Sequence, residues 1–182
     1  MFKILIITAT LLLPSHLLGK DTTPMPPKGD KEQMEEYKRT RPLLPLDKLQ
    51  KLLDFKISEF YRLLKSQGRN AEARTLSMLP ALAVNHLPVM LDRLNVAGAC
   101  YTPQEGYPAV LLVDSYVFLT LTDDERTVLV LHELGHCILG RDHIDQTVRI
   151  DIMNHAVLDQ KTITSYGLEK LIKELMDDSR YK

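Results

Sequence analysis

The clearest pattern along the chain is an apolar stripe. Leu49, Leu52, Leu53, Ile57, Phe60, Leu63 and Leu64 recur at three- and four-residue spacing, with charged residues opposite. That period predicts an amphipathic helix over residues 47–66, with Asp47 as its N-cap and Gly68 as its terminator. Its apolar face belongs to the core. Residues 71–83 predict a second helix, interrupted at Pro80. The period then changes. Residues 87–91 and 96–101 read as short strands, and 102–106 as a turn. Residues 109–121, rich in Val, Leu, Tyr and Phe, read as a strand broken near Asp114. Thr122 then opens a helix, with Glu125 three residues on, the spacing of a capping box. Gly140 is its natural stop. A last amphipathic helix is predicted over 166–176. Helices against one small mixed or antiparallel sheet make an α+β domain.

The two ends of the chain differ in character. Lys3 precedes an apolar run over residues 4–13. Pro14 and Ser15 break that run, and Leu17-Leu18-Gly19 precede Lys20. This is the layout of a secretory signal over 1–19. The run is too short to span a bilayer, which takes ~20 apolar residues. Lys20 stands where a lipoprotein signal requires Cys, so no stable membrane insertion is expected once the leader is removed. Residues 20–45 are Pro-rich and charged, and read as a tether. The folded domain is then 46–182, long enough for one core. The expected setting is secreted or periplasmic. A net charge of −1 and the absence of Trp argue against a nucleic-acid partner. Cys100 and Cys137 leave two readings open: a disulfide, which an oxidising compartment favours, or two buried thiols.

The candidate chemistry lies on the capped helix. His132 and His136 are four residues apart, so they differ by about 40° in direction and about 6 Å in height on a helix. Two imidazoles so placed can hold one metal ion. Glu133 sits beside the first and can reach a water on that metal, the known mechanics of His-Glu-x-x-His on a helix. Past Gly140, a chain that turns back brings His143 to the third ligand position. Three protein ligands leave a fourth position for water, as in catalytic zinc sites.

The segment His132-Glu133-Leu134-Gly135-His136-Cys137-Ile138-Leu139-Gly140-Arg141-Asp142-His143 resembles the metzincin clan of zinc peptidases. Their signature is H-E-x-x-H-x-x-G-x-x-H followed by a Met-containing turn. Asp151-Ile152-Met153-Asn154 is similar to that turn. More narrowly, the combination resembles a group of small bacterial metalloproteinases, over roughly residues 96–156. The resemblance implies Zn2+ held by His132, His136 and His143, with Glu133 as general base and then acid in peptide-bond hydrolysis. The partner would be a peptide or protein substrate. It also implies strand addition of that substrate along an edge strand within 109–121.

The spacing departs from the clan in one place. Three residues, not two, separate His136 from Gly140, so Asp142 occupies the strict third position and His143 the shifted one. If His143 is the ligand, Asp142 can orient a ligand imidazole. His155, two residues after Met153, stands where some metzincins carry an assisting Tyr. A different class of function stays open: a zinc-binding envelope protein that holds a partner and cleaves nothing. Oligomeric state is not readable.

Overall fold

The computed structural model describes residues 5–8, 44–85, 96–101, 109–145 and 148–181. The expected strand at 87–91, the turn at 102–106, and most of the leader and tether lie outside these residues. Within them the elements are β1 (Leu5–Thr8), α1 (Leu46–Ser66), α2 (Asn70–Ser77), β2 (Ala81–Val84), β3 (Val96–Tyr101), β4 (Val110–Asp114), α3 (Ser115–Thr120), α4 (Asp123–Leu139), α5 (Gln160–Tyr166) and α6 (Leu168–Leu175). A short 3-10 segment, Asp178–Tyr181, follows. The domain is α+β with a mixed sheet. No helix among the described residues is long and apolar enough to cross a membrane.

α1 forms as the stripe predicts. Leu49, Leu53, Phe60 and Leu64 are buried, and burying each such side chain is worth about 1.5–3 kcal/mol. Asp47 lies in the first turn, and the N-cap position falls on Pro45. Gly68 follows the last turn with φ 73°, a conformation that favours glycine. Lys56, on the buried side, pairs with Asp123 at 2.8 Å, which ties α1 to the start of α4.

The sheet order is β1-β3-β4-β2. β2 runs parallel to β4, with Ala81 opposite Leu111 and Val84 opposite Asp114. β3 is antiparallel to β4, with Gly98 opposite Val113. Leu5–Thr8 lies antiparallel on the other side of β3, Leu5 opposite Cys100 and Ile6 opposite Ala99. The free side of β2 is closed by a side chain. Gln50 Nε2 donates to the Ala81 carbonyl at 2.9 Å, and its Oε1 accepts from the Ala83 N–H at 2.9 Å. A primary amide here copies the peptide group of a further strand and so protects a sheet edge.

Three expectations need correction. The second helix ends at Ser77, and residues 81–84 past Pro80 are a strand, because β4 offers them a ladder that helix propensity does not outweigh. The predicted strand over 109–121 stops at Asp114, whose side chain accepts from the Val117 N–H at 3.0 Å and starts α3. β4 is not an edge, since β3 and β2 flank it. The last helix forms near its expected bounds as α6, Leu168–Leu175, and the unexpected α5 precedes it, set apart by Gly167 at φ 95°.

Candidate metal centre

α4 is set by its caps. Thr122 Oγ1 accepts from the Glu125 N–H at 3.3 Å, and Glu125 Oε2 accepts from the Thr122 N–H at 2.7 Å, completing the capping box. Residues 128–136 of this helix are all buried. Gly140 adopts the left-handed conformation, φ 64°, and ends it. The Arg141 N–H then donates to the Gly135 carbonyl at 3.0 Å, which turns the chain back along the helix.

That reversal brings three imidazoles together. Nε2 of His132 lies 3.0 Å from Nε2 of His136 and 3.2 Å from Nε2 of His143. Asp142 is exposed and stands outside this group. The far nitrogens show what faces inward. His132 Nδ1 is 2.6 Å from the Ile152 carbonyl, and His136 Nδ1 is 2.5 Å from the Arg141 carbonyl. A carbonyl only accepts, so both Nδ1 atoms carry the proton. In neutral rings both Nε2 atoms are then bare lone pairs. Two lone pairs at 3.0 Å repel unless a cation lies between them. A tetrahedral ion with bonds of about 2.0–2.1 Å separates its ligands by about 3.3 Å, close to the spacing seen. The three histidines can therefore hold a metal ion.

The surroundings keep the rings neutral. Burial, and then the neighbouring His136, hold His132 well below the usual histidine range. Burial lowers His136 to about 4 against the opposing pull of the Arg141 carbonyl and Asp142. Burial and then His136 lower His143 to about 4. Neutral imidazole is the form that binds metal. His155 is exposed, and its ring lies tilted against that of His143 with centroids 4.2 Å apart.

Glu133 is fully buried. Neither carboxylate oxygen has a hydrogen-bond partner among the described residues. The Cys100 backbone favours its charge, but too weakly to offset burial, and the carboxyl is held well above the usual range. Its wall is Gly98 of β3, where a Cβ would lie 2.7 Å from Glu133 Oε1. Cys100, two residues on, stands at disulfide distance from Cys137 of α4, with Cα atoms 5.8 Å apart.

Beneath the helix lies the 151–154 turn. Met153 is fully buried, and its Sδ would be 2.5 Å from a Cβ at Gly135, so Gly135 makes the space Met153 fills. Asp151 Oδ1 accepts from the Met153 N–H at 3.0 Å, and Asn154 Oδ1 accepts from the Asp151 N–H at 2.9 Å. The Ile144 N–H donates to the Met153 carbonyl at 2.8 Å, which joins this turn to the loop carrying His143.

The structure thus assembles His132, His136 and His143 with Glu133 on one helix and its following loop. The groups that orient the two helical imidazoles are backbone carbonyls, not Asp142. No side-chain pattern announces a carbonyl. Gly98 was also missed, because a glycine in a strand carries no sign of what approaches it. No protein-family model, curated protein or solved structure matches the chain. What fold and site define is an α+β protein with a three-histidine cluster able to hold a metal ion.

Proposed function

We propose that this protein is a zinc metallopeptidase that hydrolyses peptide bonds. The observation that carries the reading is the convergence of three Nε2 atoms, from His132, His136 and His143, with Glu133 next to the first. Three neutral imidazoles suit Zn2+ and leave a further position open. Bound zinc supplies Lewis acidity, which activates water and polarises a carbonyl. The chain's own residues do the rest. Ile152 and Arg141 hold His132 and His136 in the Nδ1–H form. Glu133 receives the proton of the attacking water and passes it to the leaving amine. Its carboxylate oxygens, without a hydrogen-bond partner among the described residues, are free to take that proton.

The substrate-binding strand moves with the corrected topology. β4 is interior, so an extended substrate would add to β3, which borders Glu133 through Gly98. Leu5–Thr8 already shows that the outer side of β3 accepts an antiparallel strand. Removal of a leader would leave that side for a peptide. The Cys100–Cys137 pair suits an exported protein.

The test is Glu133→Gln measured beside the parent for zinc content and for cleavage of a mixed peptide library. Zinc retained with cleavage lost supports the peptidase. A parent that binds zinc yet cleaves nothing supports a silent zinc-binding protein, and a parent that never takes up zinc refutes both.

A further inference from the structure

The two carbonyls that orient His132 and His136 belong to residues with one feature in common: both neighbourhoods are gripped by the last few residues of the chain. Arg141, whose carbonyl accepts from His136 Nδ1, has a buried guanidinium. That group donates to Asp178 Oδ1 at 2.5 Å and lies 4.2 Å from the centre of the Tyr181 ring. Ile152, whose carbonyl accepts from His132 Nδ1, sits between Asp151 and Met153. The buried Asp151 carboxylate holds both sides of it, bonding the Met153 N–H at 3.0 Å and the Tyr181 hydroxyl at 2.6 Å through Oδ1. Its Oδ2 faces Arg149 at 3.0 Å and Arg180 at 3.8 Å. Arg149 in turn donates to the Arg180 carbonyl at 2.9 Å. The segment itself is anchored elsewhere: Asp178 also bonds Arg69 at the start of α2, and Arg180 pairs with Glu174 of α6 at 2.9 Å.

We infer that the terminal segment Asp178–Tyr181 is a clamp that positions the metal-binding imidazoles, with Asp178 acting on His136 through Arg141 and Tyr181 acting on His132 through Asp151. The inference rests on the metal reading of the three histidines but not on peptidase activity. Its physical basis is that an imidazole presents its lone pair along a fixed line only while its other nitrogen is held. Loss of such an outer partner commonly weakens metal affinity by about 10–100-fold. The tail's contacts are polar and end on the two residues whose backbone does the holding. Plain packing of a short 3-10 segment would not need them to.

The experiment uses the full chain as Tyr181→Phe, Asp178→Asn and the double variant. Zinc affinity is read by competition with a chelating dye, and the metal-free proteins are melted in parallel. Each single variant is expected to bind zinc about tenfold more weakly, and the double about a hundredfold, since they act on different rings. Metal-free melting should fall only modestly for Tyr181→Phe, since the Asp151 carboxylate it leaves keeps Arg149 and the Met153 N–H, so that variant decides the matter if the double does not fold. A second readout needs no metal. Imidazole nitrogen shifts should show His132 losing its pure Nδ1–H form in Tyr181→Phe, and His136 losing it in Asp178→Asn. Zinc affinity within twofold of the parent, or tautomers unchanged in both variants, overturns the clamp alone. A parent without zinc affinity overturns the metal reading together with it.

Discussion

Gly98 and Glu133 face each other with no room for a side chain between them: a Cβ on Gly98 would meet Oε1 of Glu133 at 2.7 Å. Strand β3 therefore forms the wall against which the carboxylate is set. Gly98→Ala must push either the strand or the carboxylate aside, at a cost of about 1–3 kcal/mol. Zinc content should be unchanged, because no imidazole is touched, while peptide cleavage should fall at least about tenfold. Measuring both on one preparation checks this, and a Gly98→Ala protein with full turnover would show that Glu133 does not depend on that wall.

The same carboxylate is a burden on the metal-free fold. An acid whose folded pKa lies above its unfolded one binds more protons folded than unfolded, so its contribution to stability falls as pH rises. Glu133→Gln should accordingly raise the stability of the chelator-treated protein at pH 8, by about 1–3 kcal/mol. The gain should shrink towards pH 5. Urea titrations at the two pH values test it, and a variant less stable than the parent at pH 8 would contradict the burial argument.

The histidines push the other way. His136 and His143 lie near 4 in the fold, against about 6.5 in an unfolded chain. Between these values the unfolded state binds more protons, so metal-free stability should drop as pH is lowered from about 6.5 to 4. Zinc should be lost over an acidic window as well, since protons take the same lone pairs. In the Glu133→Gln protein, where the opposing carboxyl is gone, a melting midpoint that stays flat from pH 7 to 5 would mean that the rings are not packed together in solution.

Cys100 of β3 and Cys137, on the helix turn that carries His136, stand at disulfide distance across 37 residues of chain. A bridge closing a loop of that length is worth about 3–4 kcal/mol. The paired Cys100→Ser, Cys137→Ser variant should lose about that much in urea unfolding. An unchanged urea midpoint, or two free thiols found in the oxidised protein, would remove the bridge from the account.

Much of the helix framework was legible before any coordinates. The period of α1, the Thr122–Glu125 capping box and the Gly140 stop are all local devices, written within a few residues of where they act. His132, Glu133 and His136 were legible for the same reason, since helical spacing alone puts two imidazoles on one side. At Asp114 the break in the strand was legible, but the helix that follows it was not. Residues 115–120 have strand-like composition, and what decides them is the Asp114 cap together with the burial of Val117 and Phe118. The order of the sheet was equally hidden. Alternation shows that a segment is a strand but not which strands flank it, so the interior place of β4 came as a correction.

What the sequence by itself determined is the presence of a capped, buried helix with His-Glu-x-x-His on it and a glycine turn behind. Tertiary structure decided the third histidine, because the choice between Asp142 and His143 depends on where the chain runs after Gly140, and only the Arg141–Gly135 bond and the 151–154 turn settle that path. It also decided which nitrogens point inward. Backbone carbonyls from distant residues select the tautomer, and carbonyls are the one hydrogen-bonding group that every residue carries alike, so no residue letter marks them.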